Sequence, residues 1–187
     1  MYWEKAFHVP PPIAALIVTA NLIGTAIGGP LFGHYADIIG RKRALYITIA
    51  IFGVFTALVG TAQNALEAAI YRFLGGLGMG CEWGIGMTLL TEVWPPESRG
   101  SMGGNLEGIA SLGFLMSAAV GYFAMPVIGW RMVYYLSGLI ALFVLFVRYA
   151  MPESKVWLEY KSKKERGELP DELKNKVRRG PFIQLFY

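Results

Sequence analysis

The sequence is poor in charge and in cysteine. Only 16% of its 187 residues are charged, against about 25% in soluble globular domains. No charged side chain occurs from residue 13 to 32 or from 44 to 66, and each run can cross about 30 Å of hydrocarbon as a helix. The single cysteine, Cys81, excludes an internal disulfide. These deficits disfavour a disordered chain, a disulfide-built secreted module and an ordinary soluble enzyme.

Apolar segments dominate what remains. They cover residues 13–33, 44–63, 68–94, 102–127 and 133–150. Their length and glycine content predict membrane helices, because no alternation of polar and apolar residues indicates strands. We therefore expect an all-α, multi-pass membrane bundle of five helices. Residues 1–12 form an external segment before it, and residues 151–187 form a charged linker after it.

The basic residues predict the orientation of the bundle. Fourteen of the 17 lysines and arginines fall on the side of the linker, whereas Lys5 and Arg131 fall on the other. Since cytoplasmic loops are rich in Lys and Arg, the linker is predicted to be cytoplasmic and the N-terminus external. Topology thus accounts for the net charge of +4 without a nucleic-acid partner. An external start and an apolar run at 181–187 predict further spans before residue 13 and after residue 187.

Three charged residues, Arg72, Glu82 and Glu107, fall inside the predicted spans and away from their ends. A charge near the bilayer centre costs on the order of 2.5–3.5 kcal/mol, so such residues are usually functional. If residues 92–99 mark the membrane boundary, Glu82 lies about 15 Å deep and Glu107 about 12 Å deep. Each acid could instead be satisfied by hydrogen bonds within a packed bundle.

Asn21 and Trp83 are also predicted to be buried within spans. Two acids at one depth together with these side chains favour a polar cavity that binds a solute or a proton. The spans contain no metal-ligand spacing and no Ser/His pair, which argues against an enzyme, a metal site or a cofactor.

Glycines recur every four residues in three of the segments. They are Gly24 and Gly28; Gly76, Gly80 and Gly84; and Gly100, Gly104 and Gly108. Small residues at this spacing lie on one helix face and allow close approach of two backbones in lipid. The alternative interpretation is that these faces slide or rock during a functional cycle.

Two loops carry sequence signatures. Residues 33–43 read GHYADIIGRKR, which resembles the G-x-x-x-D-x-x-G-R-[RK] motif of the major facilitator superfamily, and residues 92–100 resemble its E-x6-R-G motif. Residues 72–80 are similar to the R-x-x-x-G-x-G-x-G of its fourth helix. Residues 151–158 match the P-E-S-x-x-W-L that follows the sixth helix in sugar-porter-like and metabolite–proton symporters.

The resemblance implies that the five spans are helices two to six of a twelve-helix fold, an incomplete N-terminal half. It implies a secondary transporter that moves a small organic anion with protons by alternating access, with the missing C-terminal half as a partner in the bilayer. A sugar or polyol porter of the same superfamily is the alternative. A non-transporting remnant or sensor is the alternative of another class.

The resemblance also assigns roles to residues. Glu82-Trp83-Gly84 is similar to a motif of sialate and carboxylate–proton symporters, and Glu107 stands where sugar-porter-like members often have Gln. The resemblance implies that Glu82 and Glu107 are acids of the binding cavity and that Arg72 is their counter-charge. A cytoplasmic gate, in which Asp37 meets Arg99, is expected from Gly33, Asp37, Gly40, Arg41, Arg43, Glu92 and Arg99.

Overall fold

The computed structural model describes residues 2–149 and 155–166, and every regular element among them is helical. The helices are α1 (Tyr2–Phe7), α2 (Pro11–Ile39), α3 (Arg41–Val59), α4 (Ala65–Val93), α5 (Arg99–Ala119), α6 (Met125–Ile128), α7 (Trp130–Tyr149) and α8 (Lys155–Glu165). A 3₁₀ turn at Pro96–Ser98 precedes α5, and a π-helical turn at Val120–Ala124 follows it. The all-α prediction is confirmed.

Local chemistry explains where the helices begin. Prolines occupy the first positions of α2, where the missing N–H groups have no intrahelical partner to lose. At the start of α4, the Asn64 side chain accepts from the backbone N–H of Glu67 at 2.9 Å, and the Glu67 carboxylate accepts from the backbone N–H of Gln63 at 2.9 Å. This reciprocal cap begins α4 at Ala65, ahead of the apolar run itself.

Within residues 2–149 and 155–166, three stretches are long and apolar enough to cross a membrane. They are Pro11–Ile39, Arg41–Val59 and the continuous helical stretch Pro96–Ile128. Residues Trp130–Phe146 form a shorter apolar helix. The 29-residue α4 is as long as α2 but carries Arg72 and Glu82 in its interior.

Helices α2, α3 and α4 pack against one another, and α7 packs on the outer side of α3. Helix α5 touches α4 lightly, and none of its residues is buried. Gly103 is the glycine of α5 that comes closest to α4: a Cβ added there would lie 4.0 Å from the Met87 side chain. One side of α4 is therefore covered and the other is largely open.

Glycines bring α2 and α4 into backbone contact. A Cβ at Gly24 or Gly28 would overlap the carbonyl oxygen of Phe73 or Leu77 on α4. A Cβ at Gly76 or Gly80 would meet the α2 backbone in the same way. The predicted close packing therefore holds for this pair of helices. It does not hold for Gly84 on α4 or for Gly100, Gly104 and Gly108, around which a Cβ would meet nothing within 4 Å.

The two ends of the bundle differ in character. At the end we call aromatic, Trp3 and Phe7 of α1 pack on Trp130 and Tyr134 of α7. At the other, basic end, formed by residues 37–43, 94–99 and 155–166, α8 returns to the end of α2. Of the predicted linker 151–187, only α8 and Arg166 lie within the described residues.

Candidate functional site

A crevice opens between α2 and α4 at the basic end. The glycine contacts end near Gly28 and Gly80, and a Cβ at Gly33 or Gly84 would meet nothing within 4 Å. The crevice has a volume of about 340 Å³ and is lined by Gly29, Gly33, Ala36, Asp37, Arg41, Gly80, Cys81, Gly84, Ile85 and Thr88. The two helices thus meet closely along one half of their length and separate along the other.

Asp37 and Arg41 form an ion pair on the wall of this crevice. Nη1 of Arg41 donates to Oδ1 of Asp37 at 2.8 Å, four residues apart across the joint between α2 and α3. Gly40 makes the joint with a φ of 104°, which L side chains rarely adopt. The Asp37 side chain is 65% exposed, whereas the Arg41 side chain is only 16% exposed. The carboxylate of the pair is therefore open to solvent, whereas most of the arginine side chain is packed against the helices.

The expected contact between Asp37 and Arg99 is not formed among the described residues. Nε of Arg99 instead donates to the carbonyl oxygen of Trp94 at 3.0 Å. Trp94 ends α4, where the last carbonyls lack intrahelical partners, and a basic side chain at this position satisfies one of them. Arg43 is exposed, and the Glu92 side chain lies outside the description of the structure.

Helix α8 is tied to the rim of the crevice by Trp157. Its indole Nε1 donates to the backbone carbonyl of Asp37 at 3.1 Å, and its ring is almost fully buried. Nζ of Lys161 lies 5.4 Å from the centre of the ring. Trp157 belongs to the P-E-S-x-x-W-L motif, but the motif does not predict its partner. The two bonded residues are 120 positions apart, and such a contact leaves no local signal in the sequence.

The two acids lie on neighbouring helices. Gly103 lies beside Met87, and α4 and α5 run in opposite directions from that point. Glu107 lies four residues after Gly103 on α5, and Trp83 lies four residues before Met87 on α4. Because the two helices run in opposite directions, Glu107 is at the level of Trp83. Glu82 is half-buried and Glu107 is exposed, and neither lines the crevice.

Trp83 departs from its prediction. It was expected to be buried, yet its side chain is 50% exposed. Cys81 and Ile85, two residues to either side, are buried against α2 and α3. A helix rotates by about 100° per residue, so Trp83 lies on the opposite face of α4, toward the lightly covered side.

Arg72 and Asn21 lie nearer the aromatic end. The guanidinium carbon of Arg72 lies 5.5 Å from the centre of the Tyr134 ring. Its Nε is buried and has no hydrogen-bond partner among the described residues. Asn21 is half-buried on α2, and its carbonyl lies against Gly76, one turn beyond Arg72. Arg72 is ten residues from Glu82, about 15 Å along the helix, so the two do not pair.

No group of three or more His, Cys, Asp or Glu side chains that could hold a metal ion occurs in residues 2–149 and 155–166.

Two known proteins that are similar in sequence to this chain are bacterial transporters. The sialic acid transporter NanX of Escherichia coli is 37% identical over 150 residues, which cover 80% of this chain and 37% of NanX. The niacin transporter NiaP of Acinetobacter baylyi is 34% identical over 154 residues, 82% of this chain and 35% of NiaP. The chain thus spans less than half the length of these relatives.

Solved structures give the same result. The partially occluded, inward-open xylose transporter XylE from Escherichia coli superposes with a TM-score of 0.70 at 26% identity, covering 82% of this chain and 41% of XylE. The model of the Major Facilitator Superfamily, a family of multi-pass membrane transporters and not of enzymes, matches residues 1–187. The chain belongs to the Major Facilitator Superfamily.

Proposed function

We propose that the chain supplies helices two to six of a transporter that moves a small organic anion together with protons by alternating access. The observation that carries the proposal is Arg72, a half-buried cation whose Nε has no hydrogen-bond partner among the described residues. A guanidinium so placed binds a carboxylate through its fork of N–H groups. The relatives named for sialic acid and niacin handle solutes that carry a carboxyl group.

The two acids divide the remaining roles. Glu82 is the proton site, because it is half-buried on α4, the helix that carries Arg72 and packs against α2 and α3. Glu107 contributes to solute recognition from the exposed face of α5. In a complete transporter, the face of α4 that carries Glu82 and the exposed face of α5 border a central cavity at the interface of the two halves. Such folds bind their solutes in this cavity. Trp83 and Asn21 complete the lining.

The crevice at the basic end serves as part of the cytoplasmic gate. The Asp37 carboxylate on its wall is open to solvent, and the glycine-lined gap beside Gly33 and Gly84 leaves room for a change in packing there. The close glycine contact between Gly28 and Leu77 keeps the other half of the α2–α4 pair fixed. Movement is therefore confined to one end of this helix pair.

A sugar or polyol is the second candidate solute. The xylose transporter XylE, including its complex with 6-bromo-6-deoxy-D-glucose, is the kind of solved structure that this chain matches. Competition by neutral sugars but not by carboxylates in the uptake assay below would favour this alternative.

Uptake by the completed transporter tests the proposal. We expect residues 1–187 alone, reconstituted in vesicles, to take up no labelled sialic acid, because one wall of the binding site is missing. The same residues placed in the corresponding segment of NanX should support uptake driven by an inward proton gradient. Immunoblotting for equal insertion and binding of the solute without a gradient provide the controls. Uptake by the 187-residue chain alone, or an inserted chimera indifferent to the gradient, contradicts the proposal.

Labelling of introduced cysteines tests the orientation. In a background where Cys81 is replaced by Ala, we expect a membrane-impermeant maleimide to reach Cys at position 97 or 163 from the cytoplasm. Cys at position 63 should react from outside. The expectation rests on the excess of basic residues on the side of the linker. Labelling of position 63 from the cytoplasmic side would overturn it.

A further inference from the structure

Four aromatic rings close the aromatic end of the bundle. Trp3 and Phe7 come from α1, and Trp130 and Tyr134 come from α7. Neighbouring rings have centroids 5.4 to 6.3 Å apart in stacked, tilted and edge-to-face arrangements. These separations are those of interacting aromatic pairs. The rings therefore hold one another, and part of the predicted external segment 1–12 packs on the bundle through Trp3 and Phe7.

Two guanidinium groups, those of Arg131 and Arg72, lie against this cluster, and they differ in their hydrogen-bond partners. The Arg131 guanidinium carbon lies 4.6 Å from the centre of the Trp130 ring, and its Nη2 also donates to the carbonyl of Ala62 at 2.9 Å. Arg72 has its ring contact with Tyr134 at 5.5 Å, and its buried Nε has no hydrogen-bond partner among the described residues. Arg131 thus has a structural partner, whereas Arg72 remains able to accept an anion.

Tyr134 is fixed on both sides. Its ring lies 5.6 Å from that of Trp3 and 6.3 Å from that of Trp130. A ring held in this way offers its face to the guanidinium at a distance within the range of a cation–π contact, about 6 Å. The electrons of the ring attract the cation without forming a hydrogen bond, so they leave the N–H groups of Arg72 free to bind an anion.

We propose that Tyr134 is the positioning residue of Arg72: its ring, held by Trp3 and Trp130, orients the guanidinium for an anionic partner. This inference rests on the proposed role of Arg72 as a counter-charge. It adds α7, which packs on α3, to the elements that form the site. It also gives α1 a role, since Trp3 supports the ring.

The reactivity of Arg72 tests the inference on the 187-residue chain in detergent. Phenylglyoxal modifies guanidinium groups, and mass spectrometry reports the rate at each arginine. Tyr134→Phe keeps the ring and should leave the rate at Arg72 unchanged. Tyr134→Leu and Tyr134→Met remove it and should raise that rate about fivefold, the factor that corresponds to a cation–π contact of ordinary strength.

Matched controls separate positioning from a general loss of structure. Tyr135→Leu alters the neighbouring residue, whose ring packs beside Gly60, and should leave the rate at Arg72 unchanged. The rate at Arg131 should stay constant in every variant, and slow labelling of the buried Cys81 shows that each variant is folded. An unchanged Arg72 rate in a folded ringless variant, or a rise in Tyr134→Phe equal to that in Tyr134→Leu, overturns the inference.

Transport by the NanX chimera separates this inference from the function on which it rests. Tyr134→Met should raise the KM for sialic acid with kcat preserved, and Tyr134→Phe should restore the KM. If Arg72→Gln leaves transport unchanged, the counter-charge role of Arg72 fails. The phenylglyoxal rates still decide whether Tyr134 orients the guanidinium.

Discussion

Replacing Gly28 by Ala is expected to loosen the contact between α2 and α4. The new Cβ would overlap the carbonyl oxygen of Leu77, and a backbone atom cannot turn aside as a side chain can. The helices must separate, which loses dispersion contacts along the whole interface. Overpacking of this kind costs about 1–3 kcal/mol. At about 2–4 °C per kcal/mol for a chain of this size, the midpoint of thermal unfolding should fall by about 2–12 °C.

The chain carries its own reporter for this measurement. Cys81 is the single cysteine and is 2% exposed. It packs with Ala36 of α2 and with Ala44 and Leu45 of α3, so opening of this interface exposes the thiol. A maleimide that becomes fluorescent on reaction therefore follows unfolding in detergent without a further substitution.

Gly33→Ala and Gly84→Ala are the matched controls. Both glycines lie on the same two helices, but they border the crevice, where a Cβ would meet nothing within 4 Å. We expect the unfolding midpoint of each to stay within about 2 °C of the parent, because surface-like substitutions change stability by about 0.5 kcal/mol or less. Equal destabilisation by all three substitutions would contradict the division of the helix pair into a closed and an open half.

The contact at Gly28 shows what spacing alone can predict. Gly24, Gly28, Gly76 and Gly80 were expected to pack closely, and they do, because small residues four apart form a flat strip on each helix. The same spacing at Gly84 and at Gly100 to Gly108 has no close partner among the described residues. The pattern describes a surface that can pack, whereas the identity of the partner depends on the tertiary fold.

Local pairs were harder to predict than helices. The helices follow from long apolar runs, and the start of α4 follows from its cap at Asn64. The resemblance to the family motif predicted that Asp37 pairs with Arg99. In the structure the Asp37 carboxylate instead pairs with Arg41, which lies one helical turn away. The bond from Trp157 to Asp37 and the packing of Trp3 join distant parts of the chain, and no periodicity in the sequence encodes them.

The exposure of Trp83 has a consequence for the acids. Trp83 lies on the lightly covered side of α4, and Glu82 beside it is half-buried. Glu107 reaches the same level on α5. The two acids therefore differ in burial while sharing a level, which makes them a natural pair of test and control.

Glu82→Gln in the NanX chimera is expected to abolish accumulation driven by a proton gradient. Gln keeps the shape and hydrogen bonding of a protonated Glu but cannot release a proton, so the internal concentration of sialic acid should rise only to the external one. Exchange of labelled for unlabelled solute needs no net proton movement and should persist, which shows that the variant is folded and binds. The ratio of internal to external solute, measured with and without the gradient, gives the result.

Glu107→Gln is the control for the same chemical change at the same level of the bundle. It should retain accumulation driven by the gradient and alter the order in which carboxylates and neutral sugars compete, because Glu107 is exposed on α5 and is assigned to solute recognition. If Glu82→Gln accumulates solute with its normal dependence on pH, Glu82 is a structural acid. The proton is then carried by Glu107 or by a group outside the five predicted spans in residues 13–150. Loss of accumulation in Glu107→Gln alone would select Glu107, since each acid can be replaced while the other remains.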